Sequence, residues 1–257
     1  MSDYRMLALD LDGTLLTEDK TITANTKYWI RQTVEAGVAV IFATGRGFQT
    51  ASPYWEELGL SFPMVFANGA EIWKGPGRLW KRHFIPAEEI RKLHALAVAH
   101  DAWFWGYSTE GLTGLREWSN ESFRLDWLKF GIRHDAPDVL QKMREIAAGW
   151  GTVEITRSAP NNLEFSAKGI TKESGVREVC GLLGIGMDEV IAVGDSMNDV
   201  RLLAAAGLGV AMGNADDTVK SFADVVTDSN ENEGVANVIR RYLLTPARRG
   251  GEVLRKR

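Results

Sequence analysis

Apolar residues recur along this chain in two rhythms. Short unbroken apolar runs stand at 6–9, 38–43, 64–67, 190–193 and 208–212. Each gives way at once to small or polar residues: Asp10-Leu11-Asp12-Gly13-Thr14, Thr44-Gly45-Arg46, Asn68-Gly69, Gly194-Asp195 and Gly213-Asn214. A strand that is apolar on both faces must be covered on both faces, which is the habit of parallel sheets. Between the runs the spacing turns helical. Val176, Val179, Cys180 and Leu183 fall at i, i+3, i+4 and i+7 ahead of Gly184, and Val235, Val238, Ile239, Tyr242 and Leu243 repeat the pattern near the C-terminus. This alternation predicts an α/β fold with a doubly wound parallel sheet, in which sites form beyond the carboxyl ends of the strands. The five polar strand ends are therefore expected to share one crevice.

The alternation lapses between about 83 and 166. Pro86 opens a helix carrying Ile90, Leu93 and Ala97; Trp103, Trp105 and Tyr107 alternate as on a strand; Pro137 opens a second helix through Met143 and Ala147; and 152–156 and 163–165 read as further strands. The pattern predicts a core of residues 1–82 and 167–257, interrupted by an α+β cap of residues 83–166 set over the crevice.

At 257 residues, 45% hydrophobic and 25% charged, the chain has ample material for a core, which excludes extended disorder. No apolar run approaches the roughly 20 residues of a membrane-spanning helix. The first apolar stretch is broken by Asp10 and Asp12, unlike a secretory signal, and a single cysteine, Cys180, fits a reducing compartment. A cytoplasmic protein with no membrane partner is expected, with Cys180 packed on its apolar helix face. Five basic residues against Glu252 give 248–257 a charge of +4, so the rest of the chain carries -8 of the formal -4. An acidic body argues against a nucleic-acid partner, whose binding rests on Lys and Arg; the basic tail reads as a frayed terminus.

Asp10 and Asp12 stand two apart at a strand end, so both carboxylates face one way. Such a pair is costly to bury unless something neutralises it, and a hard divalent cation would do so. Asp195 adds a third carboxylate from another strand end, with Asn198 and Asp199 in the next turn. Thr44 and Gly45 offer a hydroxyl and free N–H groups, either as an anion site or, for Thr44, as a plain helix cap. Lys172 opens the Val176 helix, where a cation opposes the helix dipole. It is either held there for an anion or simply solvated.

These pieces occur in an order that resembles the haloacid dehalogenase superfamily of phosphotransferases, in particular its Cof-type phosphatases with a subclass IIB cap between the second and third motifs. Asp10-Leu11-Asp12-Gly13-Thr14-Leu15 matches the first motif, Ala43-Thr44-Gly45-Arg46 the second, Lys172 the third and Gly194-Asp195-Ser196-Met197-Asn198-Asp199 the fourth. Asn68-Gly69-Ala70 and the stretch 209–215 look like the subfamily as well, whereas Glu173 departs from it by standing where Gly is usual. The resemblance implies that Asp10 is the nucleophile, that Asp12 is the general acid and base, and that Thr44, Gly45, Lys172 and Asn198 bind phosphoryl oxygens. It implies Mg²⁺ held by Asp10, Asp12 through its main-chain carbonyl, Asp195 and Asp199. The cap would select the leaving group, with Trp103, Trp105, Tyr107 and Arg116 as candidates beside Trp118, Trp127 and Arg133; aromatic residues alternating on a small sheet are equally at home in a core. The implied activity is a phosphatase acting on a small phosphorylated metabolite, such as a sugar phosphate or a phosphorylated cofactor or precursor, as a monomer or weak homodimer. A phosphomutase of the same superfamily and a non-catalytic phospholigand sensor are the alternatives.

Overall fold

The structure, a computed structural model, describes residues 3–244; the basic tail at 248–257 lies outside the described residues. With elements numbered in chain order, β1 (Met6–Leu9), β2 (Ala39–Phe42), β11 (Val190–Gly194), β12 (Leu208–Ala211) and β13 (Val225–Val226) pair in parallel in the order β13-β12-β11-β1-β2. Every residue of β1, β2, β11 and β12 is buried, as their apolar runs require. Helix α1 (Ala24–Glu35) packs on β2, α6 (Val200–Ala205) on β11 and β12, and α8 (Gly234–Val238) on α1. Short α7 (Asp217–Lys220) lies between β12 and β13 in the chain. The strand order reverses at β1, whose neighbours come from opposite ends of the chain. Loops leaving β1 and β11 therefore diverge, and the crevice between them is where Asp10, Asp12 and Asp195 emerge.

The third apolar run departs from the expected sheet. After α2 (Phe48–Leu58), strand β3 (Met64–Phe66) touches the parallel sheet only through a bridge between Ala43 and Val65, with the Thr44 N–H donating to the Val65 carbonyl at 3.0 Å. It then pairs antiparallel with β4 (Glu71–Gly75), which pairs with β5 (Arg78–Arg82). The reason is local: Ala67 and Asn68 both take positive φ, 50° and 56°, and this left-handed kink turns the chain back.

A second five-stranded sheet is wholly antiparallel. It comprises β6 (Trp103–Ser108), β7 (Gly111–Gly114), β8 (Trp127–Arg133), β9 (Val153–Thr156) and β10 (Asn162–Ala167) in the order β7-β6-β8-β10-β9. Phe104, Phe130, Ile132, Leu163 and Phe165 pack with Ile90 and Leu93 of α3 (Ala87–Ala99) and Leu140 and Met143 of α4 (Pro137–Trp150), in an apolar cluster separate from the one around the parallel sheet. Alternation then sends Trp105, Tyr107, Lys129 and Glu164 to the other face, toward the crevice. Helix α5 (Lys172–Leu183) follows β10 and ends at Gly184 in the left-handed conformation (φ 62°), as the sequence pattern anticipates. Among the described residues no helix is long and apolar enough to cross a membrane.

Candidate active site

Asp10 is fixed where β1 ends, its N–H donating to the Val193 carbonyl of β11 at 3.1 Å. The chain then wraps over the end of β11. Gly13 takes φ 72°, and a Cβ there would stand 2.8 Å from Cγ of Asp195, so only glycine lets the loop lie against that carboxylate. Thr14 donates its hydroxyl to Asp195 Oδ1 at 3.1 Å. Asp199 ties the next loop together: its Oδ2 accepts the N–H groups of Asp195 and Ser196 at 3.2 and 3.1 Å.

Lys172 reaches this cluster from the first turn of α5. Thr171 caps that helix, its hydroxyl accepting the Ser174 N–H while Ser174 Oγ accepts the Thr171 N–H. The Lys172 ammonium is fully buried, 2.8 Å from Asp10 Oδ1 and 2.7 Å from Asp199 Oδ1. Burial opposes its charge, but the two carboxylates outweigh burial and raise its pKa above the usual lysine range. Glu173 does not disturb it, being paired with Arg177 on the same helix.

Asp10, Asp195 and Asp199 each offer a carboxylate oxygen within 4.8 Å of the others. Three carboxylates against the Lys172 ammonium leave two negative charges without a partner. Burial, together with the neighbouring carboxylates, accordingly pushes Asp10 up to about 7 and Asp195 up to about 8, even against the pull of Lys172. A divalent cation matches both the missing charge and the hard oxygen donors.

Asp12 stands apart from that group. Its carboxylate takes a fork of hydrogen bonds from Arg46, Nε at 2.6 Å and Nη2 at 2.7 Å, and a third from Lys20 at 2.8 Å. Burial alone would lift its pKa, but these partners outweigh burial and bring it down to about 2. As a metal ligand Asp12 is thus left with its main-chain carbonyl only. Thr44 is no helix cap either, since α2 begins at Phe48 with Gly47 at the cap position. The buried Thr44 hydroxyl accepts the Arg46 N–H at 3.1 Å and keeps its own proton to donate.

One cavity of about 340 Å³ is lined by Asp10, Asp12, Thr44, Gly45, Asp195 and Asn198 from the crevice, and by Trp105, Tyr107, Leu112 and Lys129 from the second sheet. A neighbouring cavity of about 650 Å³ meets Lys172, Asn198 and Asn68 from the side of α4 and β9. Of the aromatic candidates, Trp105 and Tyr107 border the first cavity. Trp103 does not: it is the outermost of the three on β6, half exposed and tilted against Trp105. Arg116 is also outside both cavities, exposed in the turn after β7. Trp118 and Trp127 stack on each other in the apolar cluster, and Arg133 is exposed at the far end of β8. Lys129, Glu164, Asn68 and Leu112, assigned no role from the sequence, lie at the cavities. Lys129 donates to the Gly45 carbonyl at 2.8 Å and to Glu164 Oε1 at 3.1 Å; Asn68 donates to Glu164 Oε2 at 2.7 Å and accepts from Asn198 at 3.2 Å. The one available signal is a charge set between apolar neighbours, Lys129 between Leu128 and Phe130 and Glu164 between Leu163 and Phe165.

A family model described as haloacid dehalogenase-like hydrolase matches residues 7–125 and 115–239. The chain is 38% identical over 242 residues to a 5-amino-6-(5-phospho-D-ribitylamino)uracil phosphatase of Bacillus subtilis, covering 94% of this chain and 97% of the relative. It is 27% identical over 270 residues to a pyridoxal phosphate phosphatase of Escherichia coli, covering 93% and 99%. A solved haloacid dehalogenase-like hydrolase from B. subtilis superposes with a TM-score of 0.85 at 24% identity, covering 93% of this chain and 100% of that one, a likeness of fold.

Proposed function

The chain belongs to the haloacid dehalogenase-like hydrolases and is a phosphatase, and we propose that it hydrolyses a small phosphorylated metabolite with Asp10 as nucleophile and Mg²⁺ as its metal. The observation that carries this reading is the buried group of Asp10, Asp195, Asp199 and Lys172, whose charge calls for a divalent ion. Mg²⁺, held by Asp10, Asp195 and the Asp12 carbonyl with Asp199 in support, would neutralise phosphoryl oxygens and orient the ester for in-line attack.

The remaining chemistry belongs to the chain's own groups. An Asp10 carboxylate oxygen attacks phosphorus, the ester P–O bond breaks, and an aspartyl-phosphate forms. The departing alkoxide takes a proton from Asp12, which must leave the Arg46 fork and be protonated to give one. Water then attacks phosphorus and passes its proton to Asp12, now in the ionised form seen here; phosphate leaves and Asp10 is restored. Lys172, the Thr44 hydroxyl, the Gly45 N–H and the Asn198 amide stabilise the spread negative charge on the phosphoryl oxygens.

Residues 83–166 form the cap in this reading, shielding the phosphoryl group from bulk water and selecting the leaving group. Its contribution is Trp105, Tyr107 and Leu112 facing the nucleophile across a cavity sized for a small molecule. Relatives that act on a ribitylaminouracil phosphate and on pyridoxal phosphate support a leaving group bearing a planar ring, for which the Trp105 indole offers a face. The test is phosphate release from an aryl phosphate and a panel of phosphorylated metabolites with Mg²⁺. Asp10→Asn is expected to abolish release while the protein stays folded; near wild-type turnover by that variant would overturn the assignment.

A further inference from the structure

Lys129 and Glu164 are buried charges on the cap face that the mechanism above leaves unused. Both lie on the face of the second sheet that meets the crevice, Lys129 cross-strand from Tyr107 and Glu164 cross-strand from Gly131. The Lys129 side chain is 10% exposed and that of Glu164 5%. Burying such a pair costs several kcal/mol of lost hydration before any attraction is counted. A primary ammonium has three N–H donors. Two are used here, on the Gly45 carbonyl and on Glu164, and Lys129 lines the same cavity as Asp10, Thr44 and Asp195.

We infer that Lys129 is a substrate-contacting residue: a cation carried by the cap that donates its third N–H to the transferred phosphoryl group when the cap is seated. Glu164 is its positioning residue. One Glu164 oxygen holds Lys129, and the other holds Asn68, which in turn accepts from the Asn198 amide. A single carboxylate from the cap thus orients two phosphate-facing groups, one on each side of the crevice. Ser158 completes its shell at 3.0 Å. Burial works to raise the Glu164 carboxyl, but Lys129, Asn68 and Ser158 outweigh burial and keep it ionised. Seating the cap and completing the charge around the phosphoryl group become the same event.

The inference rests on the site proposed above, so its test reads phosphate affinity as well as turnover. Inorganic phosphate binding, measured by calorimetry with Mg²⁺, and kcat/KM on an aryl phosphate are compared for wild type, Lys129→Met, Lys129→Arg and Glu164→Gln. Lys129→Met is expected to weaken phosphate binding about 10- to 100-fold and to lower kcat/KM at least as much, as for loss of one charge-assisted contact in a dry site. Lys129→Arg, which keeps the charge, is expected to recover most of both, and Glu164→Gln to weaken phosphate binding with Lys129 intact. Phosphate affinity within twofold of wild type in Lys129→Met, or an arginine variant as poor as the methionine one, would overturn the inference and leave a structural tie. If Lys129→Met fails to fold, the Arg and Gln variants decide alone. A wild type that binds phosphate but turns nothing over would count against the proposed function, while the affinity comparison still judges Lys129.

Discussion

Replacing Gly47 with alanine probes how the cap seats. Gly47 has φ -75° and ψ 165°, a conformation any residue adopts, so alanine adds no backbone strain. What it adds is a methyl group 1.9 Å from Cζ of Tyr107. Ordinary carbon contacts are about 3.5–4.0 Å, so the two surfaces must part by about 2 Å. Tyr107 is packed among Ala67, Ala70 and Leu128, so its ring must either withdraw with the second sheet or turn into the cavity it borders. Its hydroxyl is directed at the main-chain N–H groups of Phe48 and Gln49 at the start of α2. A withdrawal of that size would stretch the Lys129 bond to the Gly45 carbonyl from 2.8 Å to well beyond hydrogen-bonding range. Gly47→Ala is therefore expected to lower kcat/KM about 10- to 100-fold, or roughly 1.4–2.8 kcal/mol. The assay is steady-state hydrolysis of an aryl phosphate by Gly47→Ala, Tyr107→Ala and the double variant. If the clash is the cause, adding Tyr107→Ala restores activity lost by Gly47→Ala. Additive losses, or a Gly47→Ala enzyme indistinguishable from wild type, would refute the reasoning.

Three further outcomes are expected. Gly13→Ala forces a methyl group against Asp195 at a left-handed position; it should cost about 1–2 kcal/mol of stability, and a titration with divalent cation should show at least tenfold weaker binding. Glu164 has its pKa held below the ordinary carboxylate value by Lys129 and its amide and hydroxyl partners, so its stabilisation is complete above that ordinary value and drains away as pH falls through the depressed one. The fall in Tm between about pH 5 and 3 should thus be shallower in Glu164→Gln than in wild type, and parallel curves would contradict it. Cys180 is 3% exposed and burial pushes its thiol up to about 11, so a thiol reagent at neutral pH should label it only after unfolding; prompt labelling of the native protein would refute its burial.

The parallel sheet could be read from the sequence because its strands announce themselves locally: an apolar run followed by the residues that a carboxyl end requires. Asp10, Asp195 and Lys172 could be placed for the same reason, each sitting at a strand end or helix start with the wrong chemistry for mere punctuation. Strand β8 was not legible. Its sequence, Trp127–Arg133, interrupts apolar positions with Lys129, Gly131 and Arg133, and only the opposing crevice makes a buried lysine sensible there. Asn68 and Glu164 are 96 residues apart in the chain, and no periodicity announces that they meet. Trp103, on the same strand as Trp105 and Tyr107, stands outside the cavities for a related reason. Period-two alternation fixes the face of a strand, not how far along it the cavity extends.

Lys172 leaves two negative charges uncompensated among Asp10, Asp195 and Asp199. Calorimetric titration of the metal-free protein with Mg²⁺ addresses them directly. One saturable site per chain is expected, weakened at least tenfold in Asp195→Asn and coupled to phosphate release from an aryl ester. Absence of saturable binding, or equal affinity in wild type and Asp195→Asn, would contradict it.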